Sequence, residues 1–145
     1  MPRIERNAEI VWEGNVARGQ GRISAATGAF ADLPFTLATR IGNPEGKTSP
    51  EELLAAAHGA CFTMSLAGEL VQAGTPPGRL EVDCRIVMDE VEGQGHQIVG
   101  SIVTVKVDVE GADQTALEAA IAKADEGCPF SALLKRAGAD VQMSL

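Results

Sequence analysis

The chain contains few aromatic, basic and histidine residues, and each shortage disfavours a class of fold or function. It has no tyrosine, and aromatic residues make up 3% of its 145 residues, so aliphatic side chains must fill its core. Twelve basic residues against twenty acidic ones give a net charge of −8, which disfavours nucleic acid as a partner. Its two histidines, His58 and His96, are too few to indicate a metal-binding cluster.

Three cysteines lie far apart in the sequence, at Cys61, Cys84 and Cys128, and no Cys-x-x-Cys pair is present. An odd number without paired spacing indicates neither a disulfide scaffold nor a zinc site. The opening MPRIERNAEI carries charges and lacks the apolar segment of a secretory signal, so a cytoplasmic location is expected. In that reducing compartment the cysteines should be free thiols at rest, and any disulfide among them should be transient.

Alternating polar and apolar residues predict several strands, and helical patterns accompany them, so one α+β domain is expected over residues 1–145. The predicted strands cover 8–12, 21–25, 34–41, 80–89, 103–109 and 141–145. Those at 80–89 and 103–109 are expected to be half-buried and antiparallel. An amphipathic helix is predicted over 113–126, and a short helix is expected to begin near Cys128-Pro129.

The strongest single signal is a long helix between residues 49 and 74. Ser49 is a typical N-cap, Pro50 suits the first helical position, and Gly74 followed by two prolines ends the pattern. Its middle, Leu53 to Gly68, carries no charged side chain, so the helix is expected to be buried all round, in part within a homodimer. The uncharged run is shorter than the roughly 20 residues that span a bilayer, so no membrane association is expected.

Two of the cysteines can be interpreted from their local setting. Cys84 alternates with polar residues and shares a strand face with Val82 and Ile86, which predicts a packed core thiol. Cys128 precedes Pro129, which suits a helix start, and the N–H groups of a helix start favour a thiolate. A small capping residue is an equally good interpretation of Cys128, and the local sequence leaves both open.

Cys61 lies within the uncharged part of the long helix, and three interpretations are open. It is a small apolar residue of a packed helix, a nucleophile activated by His58 as in a thiol hydrolase or acyltransferase, or a nucleophile paired with Arg40 from a predicted strand. Apolar burial raises the pKa of a thiol, so a reactive Cys61 needs a cationic partner. His58 itself is expected to be a hydrogen-bonded core histidine. Glu51 lies about 15 Å from Cys61 along one helix, so it could act there only from a second subunit.

Two long motifs make the chain similar to a known family. The segments GKTSPEELLAAAHGACFTM, around Cys61, and EGCPFSALLK, around Cys128, resemble the OsmC (osmotically inducible protein C) family of the OsmC/Ohr superfamily of thiol peroxidases. The opening VWEGNVARGQGRIS and the LATR that contains Arg40 agree, so the resemblance covers nearly the whole chain. The AAAH before Cys61 resembles the OsmC branch more than the organic hydroperoxide resistance (Ohr) branch. Ser49 stands where the family commonly has Asn, and both residues cap helices.

The resemblance implies an OsmC-like fold, with antiparallel sheets packed around a long buried central helix in an intertwined homodimer, and no metal or flavin cofactor. Matched by position, the resemblance also implies that Cys61 is the peroxidatic cysteine, Cys128 the resolving cysteine, and Arg40 and Glu51 the activating pair. The expected reaction reduces organic hydroperoxides through a Cys61 sulfenic acid and a Cys61–Cys128 disulfide. An external dithiol, which the superfamily suggests is lipoyl-type, would reduce that disulfide. The alternatives are a Cys61/His58 thiol hydrolase and a non-enzymatic redox sensor.

Overall fold

The computed structural model of the chain describes residues 2–145, which form six strands and four helices. The chain divides into two compact units, the first ending at Pro50 and the second beginning at Glu51. The α+β class predicted from the sequence is confirmed.

The first unit contains a three-stranded antiparallel sheet of β1 (Ala8–Glu13), β2 (Gln20–Ala25) and β3 (Leu33–Phe35), with β2 in the middle. The rings of Trp12 and Phe35, from the two outer strands, have centroids 5.5 Å apart. They pack over Gly21 of β2, where an added Cβ would lie 2.4 Å from the Phe35 ring. This sheet therefore depends on glycine at that position, because no other residue leaves room for both rings.

The strand predicted over 34–41 is wrong beyond Phe35, because residues Leu37–Ile41 form a short helix, α1. Thr36 caps this helix: its side-chain oxygen accepts a hydrogen bond from the Thr39 backbone N–H at 3.0 Å. A threonine side chain that hydrogen-bonds nearby backbone groups offers them an alternative to strand pairing. The alternation of apolar residues carries no information about such a bond. Arg40 therefore lies in the last turn of a helix, where the helix dipole favours a cation, and not on a strand.

The second unit begins in the long helix α2 (Pro50–Gln72), which is followed by β4 (Arg79–Val91), β5 (Gly95–Asp108), α3 (Gln114–Gly127), α4 (Pro129–Arg136) and β6 (Asp140–Ser144). The sheet order is β4-β5-β6. The antiparallel pairing of β4 with β5 was predicted, but β6 pairs parallel to β5, so the expectation of purely antiparallel sheets is wrong. The two helices between β5 and β6 form the crossover connection that a parallel pair requires.

The core of the second unit lies between α2, β5 and α3. Phe62, Leu66 and Leu70 recur every four residues along one face of α2 and are at most 1% exposed. They pack with apolar residues of β5 and α3: Val103, Val105, Ala120, Ile121 and Ala124. Full burial of a large apolar side chain contributes about 1.5–3 kcal/mol, so this face holds α2 firmly. Cys61 is consequently presented from a fixed helix.

The ends of α2 match the prediction, and within a single chain its burial is partial. The helix begins at Pro50, and Gly74 adopts a φ of +79° just after its end. Within the described chain, however, Met64 is 70% exposed and Val71 is 58% exposed, so the helix is not buried all round. The homodimer that would cover this side remains a prediction.

The length of α2 weakens the argument against a membrane span. At 23 residues, with a mean hydropathy of 1.3 over its most apolar window, it is long and apolar enough to cross a bilayer. Core helices of soluble proteins also meet this criterion, and α2 contributes a full face to the core described above. The absence of membrane association remains a prediction.

Candidate active site

Cys61 and Cys128, which are far apart in the sequence, interact directly in the structure. Cys61 is half-buried on α2, and burial raises the pKa of its thiol. A hydrogen bond and a charge interaction with the Cys128 side chain raise that pKa further. Two thiols in contact are placed to form a disulfide once one of them is oxidised.

Cys128 is the residue immediately before α4 and is 0% exposed. Pro129 occupies the first turn of the helix, as predicted, and the Cys128 backbone N–H donates to the Asp125 carbonyl at 3.2 Å. The Cys128 side chain makes no capping hydrogen bond. Cys128 thus occupies the C-cap position of α3 and the N-cap position of α4, as one interpretation predicted, while its sulfur interacts with Cys61.

The start of α4 acts on Cys61, which the sequence did not indicate. The backbone N–H of Phe130, in the first turn of α4, donates a hydrogen bond to the Cys61 sulfur and partly opposes the rise in its pKa. The sequence predicted a helix start here from Pro129, but it associated the free N–H groups with Cys128. Which of two sulfurs these groups meet depends on packing between helices, which no local pattern encodes.

His58 is fully buried one turn before Cys61 and has a partner at each ring nitrogen. Its Nδ1 lies 2.7 Å from the Ser101 hydroxyl oxygen and its Nε2 lies 2.7 Å from that of Ser131. Burial lowers the pKa of His58, the charge of Asp125 opposes this, and the charge of Lys135 adds to it. In the neutral ring one nitrogen donates to a serine and the other accepts from a serine. The prediction of a hydrogen-bonded core histidine is confirmed.

The same geometry disfavours a hydrolase that uses Cys61 and His58. A general base must contact the proton that it removes, and both nitrogens of His58 are already engaged by serines. Among residues 2–145, the sulfur within hydrogen-bonding distance of the imidazole belongs to Cys84, 3.8 Å from Nδ1. The imidazole is therefore placed to join structural elements and not to activate Cys61.

Cys84 lies on β4, partly buried and packed against the core, as predicted. Its sulfur is 3.4 Å from the Ser101 hydroxyl oxygen, and burial raises the pKa of its thiol. Gly59 of α2 packs on this residue, since an added Cβ would lie 3.2 Å from the Cys84 Cβ. Cys84 is thus a packing residue at the contact of α2 with β4.

The predicted activating pair is divided between the two units. Arg40 belongs to the first unit, on α1, and Glu51 lies in the first turn of α2. Because α2 is continuous, ten residues separate Glu51 from Cys61, or about 15 Å along the helix axis. Glu51 therefore does not reach the Cys61 of its own helix, and the roles of Arg40 and Glu51 remain predictions.

Within residues 2–145, no group of three or more His, Cys, Asp or Glu side chains is arranged to hold a metal ion.

Sequence comparison finds relatives over most of the chain. Residues 42–144 match the family model described as OsmC-like protein. Peroxiredoxin OsmC from Escherichia coli strain K12 is 36% identical over 132 residues, which cover 91% of each chain. An organic hydroperoxide resistance protein from Xanthomonas axonopodis pv. citri is 26% identical over 141 residues, covering 94% of this chain and 96% of the relative.

Solved structures share the fold. An organic hydroperoxide resistance protein OsmC from Legionella pneumophila superposes with a TM-score of 0.78 at 24% identity, covering 99% of this chain and 98% of the other. OhrB of Bacillus subtilis superposes with a TM-score of 0.75 at 24% identity, covering 96% and 97%. At such identities the likeness shows a common fold alone.

Proposed function

The chain belongs to the OsmC-like protein family, and from that premise we propose that it is a cysteine-based peroxidase that reduces organic hydroperoxides. The relatives named peroxiredoxin and organic hydroperoxide resistance protein support a thiol peroxidase role. The observation that carries the proposal is the direct interaction of Cys61 with Cys128, beside the Phe130 N–H. Packing of an apolar core does not by itself require two thiols and the N–H of a helix start to lie together.

In the first step the Cys61 thiolate attacks the terminal oxygen of the hydroperoxide. The O–O bond breaks, the alkoxide leaves and takes up a proton to become an alcohol, and Cys61 becomes a sulfenic acid. The peroxide is reduced by two electrons and the sulfur is oxidised by two. The Phe130 N–H, which bonds the Cys61 sulfur, stabilises the attacking thiolate.

In the second step the Cys128 sulfur attacks the sulfenic sulfur of Cys61. The S–S bond forms, the S–O bond breaks, and the hydroxyl leaves as water. An external dithiol then reduces the disulfide by two thiol exchanges and is itself oxidised to a disulfide. We propose a lipoyl-type dithiol for this role and a cytoplasmic setting for the cycle.

The Cys61 thiolate needs a cation, because burial and Cys128 both raise the pKa of this thiol. We assign the cation to Arg40, which stays protonated at any working pH and so acts only electrostatically. Glu51 would orient the guanidinium by a bidentate contact. Since Glu51 does not reach the Cys61 of its own helix, the assignment requires a homodimer in which the partner supplies it.

Apolar side chains near Cys61 favour an alkyl or lipid hydroperoxide over hydrated hydrogen peroxide. Met64, one turn from Cys61, is 70% exposed, and the partly buried Phe130 lies in the first turn of α4, where its backbone N–H bonds the Cys61 sulfur. Phe62, the neighbour of Cys61 on α2, is fully buried in the core and does not reach a substrate.

Non-reducing mass spectrometry after one equivalent of an organic hydroperoxide tests the proposal. We expect peptides containing Cys61 and Cys128 to become linked, and the Cys84→Ser variant to give the same linkage. A wild-type protein in which Cys61 stays unoxidised would refute the peroxidase. Loss of peroxide that stops after one equivalent, even with a dithiol present, would instead indicate a redox sensor.

A further inference from the structure

Two hydrogen bonds flank Cys61 along α2 and lead to the segment that carries Cys128. One turn before Cys61, Nε2 of His58 lies 2.7 Å from the Ser131 hydroxyl oxygen. One turn after it, the Ser65 hydroxyl donates to the Ala124 carbonyl at 2.9 Å. We call these the two flanking contacts. They join α2 to the end of α3 and to the start of α4, on either side of the two sulfurs.

The segment between the flanking contacts is held as one body. Lys135, in the last turn of α4, forms an ion pair with Asp125 of α3, so the two helices are joined across the bend at Cys128. At the bend itself, Gly127 comes close to α2, because an added Cβ would lie 3.5 Å from the Ser65 hydroxyl oxygen. A displacement at Ser131 or Ala124 is therefore passed to Cys128.

The hydrogen bond between His58 and Ser131 is shielded from water, and the orientation of the ring is fixed. His58 and Ser131 are both 0% exposed, so water does not replace the bond if it breaks, and an unsatisfied buried group carries the full desolvation penalty. Ser101 bonds Nδ1 and so fixes the plane of the ring, which aims Nε2 at Ser131. The imidazole thus orients the first turn of α4, which holds the Phe130 N–H.

We propose that His58, through Ser131, and Ser65, through the Ala124 carbonyl, are positioning residues that hold Cys128 against Cys61 and so favour disulfide closure over further oxidation of Cys61. The effect on further oxidation of Cys61 rests on the proposed function, whereas the positioning of the two sulfurs does not. A Cys61 sulfenic acid has two fates: attack by Cys128, or attack on a second hydroperoxide to give sulfinic acid and an alcohol. Holding the two sulfurs in contact accelerates the first fate alone.

The variants Ser131→Ala and Ser65→Ala each remove one flanking contact and keep all three cysteines. Thr63→Val is the matched control. Its hydroxyl, also on α2, donates to the Gly59 carbonyl at 2.7 Å, within the same helix. All three variants lose one hydroxyl, but only the first two loosen the segment that carries Cys128.

The first measurement is the hydroperoxide concentration at which half of Cys61 becomes sulfinic acid, read by mass spectrometry. Loss of a flanking contact should lower this concentration about tenfold, the factor that corresponds to one lost hydrogen bond. Thr63→Val should stay within about twofold of wild type. Equal thresholds in all variants, with Cys61 oxidised normally, would overturn the inference and leave the peroxidase intact.

The second measurement does not use a peroxide. The Cys61–Cys128 disulfide is formed with diamide and equilibrated with dithiothreitol, and the equilibrium constant is read from the fraction reduced. In Ser131→Ala and Ser65→Ala this equilibrium constant should shift about tenfold toward the reduced protein. A looser segment lowers the effective concentration of one thiol at the other and so destabilises the protein disulfide. No shift relative to Thr63→Val would refute the inference. If Ser131→Ala fails to fold, the partly exposed Ser65 still decides the question.

Discussion

At the scale of single residues, the site depends on contacts between groups that are distant in the sequence. The motifs identified Cys61 and Cys128, and burial habits identified His58 and Cys84 as core residues. The Phe130 N–H at the Cys61 sulfur was not predictable, because any residue other than proline supplies the same group. Side-chain identity carries no information about it, and only the packing of α4 on α2 does.

Substitution of each cysteine separates the two chemical steps. Cys61→Ser should abolish peroxide consumption, since a hydroxyl is not ionised at neutral pH. Cys128→Ser should still reduce one equivalent, because the first step needs only Cys61, but should then accumulate sulfenic or sulfinic acid. A dimedone-type trap with mass spectrometry detects the sulfenic acid.

Cys84→Ser is the control for these variants and should cycle as wild type does. Ordinary turnover of Cys128→Ser with a dithiol would show that Cys128 is not the resolving residue.

Burial of His58 makes the stability of the fold depend on pH. The folded-state pKa of His58 is lowered from 6.5 by burial, so the unfolded state binds the proton more readily. The contribution of His58 to the free energy of unfolding should therefore be fully present above about pH 6.5. It should decline as the pH falls toward the lowered pKa, by at most about 1.4 kcal/mol per pH unit. Urea unfolding at pH 8 and pH 5.5 measures this decline.

His58→Gln should be less stable than wild type at pH 8, because it loses buried hydrogen bonds, but should lose less stability between the two pH values. An equal decline in both proteins would assign the pH dependence to other groups.

At the scale of elements, prediction succeeded where the signals are local. Ser49, Pro50 and Gly74 mark the ends of α2 by capping chemistry, and the structure places the helix start and the positive φ accordingly. The failure at α1 is also local: the Thr36 hydroxyl caps a helix where the alternation of apolar residues favoured a strand. Ile41, the last residue of that apparent apolar face, is 74% exposed.

Two residues of α2, one on each face, test how the helix is held. Phe62 is 0% exposed, so Phe62→Ala should lower the free energy of unfolding by about 3–5 kcal/mol through lost burial and a cavity. Met64 is 70% exposed, so Met64→Ala should change it by less than about 0.5 kcal/mol. Chemical denaturation of both variants measures the difference. A large loss for Met64→Ala would mean that this face is covered in solution.

At the scale of the whole molecule, the sequence predicted the α+β class but not the parallel pairing of β6. Val141 and Met143 alternate with polar residues, as in any half-buried strand. Alternation is the same for parallel and antiparallel partners, so it does not indicate strand direction. The family resemblance, in contrast, was carried by the motifs around the two cysteines and is confirmed.

The proposal that Glu51 of one subunit acts at the Cys61 site of the other predicts that two defective variants restore activity when mixed. Cys61→Ser and Glu51→Gln should each be inactive or impaired alone. In a mixed dimer, the intact Cys61 of one subunit faces the intact Glu51 of the other, so one site of the two is complete. Random mixing should restore about a quarter of wild-type peroxidase activity, because half of the dimers are mixed.

Refolding the two variants together and assaying peroxide loss measures this restoration. Refolding each variant alone is the control. Activity no higher than the mean of the separate variants would place Glu51 in its own subunit's site, or in none.

The pairing of β6 with β5 has a consequence during protein synthesis. Residues 140–144 must lie beside residues 100–104 to complete the second sheet, so this sheet stays unfinished until Ser144 has left the ribosomal tunnel. The α3–α4 connection, which carries Cys128, lies between these strands and docks together with the last one. Cys61 is thus synthesised well before Cys128, its proposed resolving partner, can dock beside it, and we expect oxidants to reach Cys61 more readily in the nascent chain than in the folded protein.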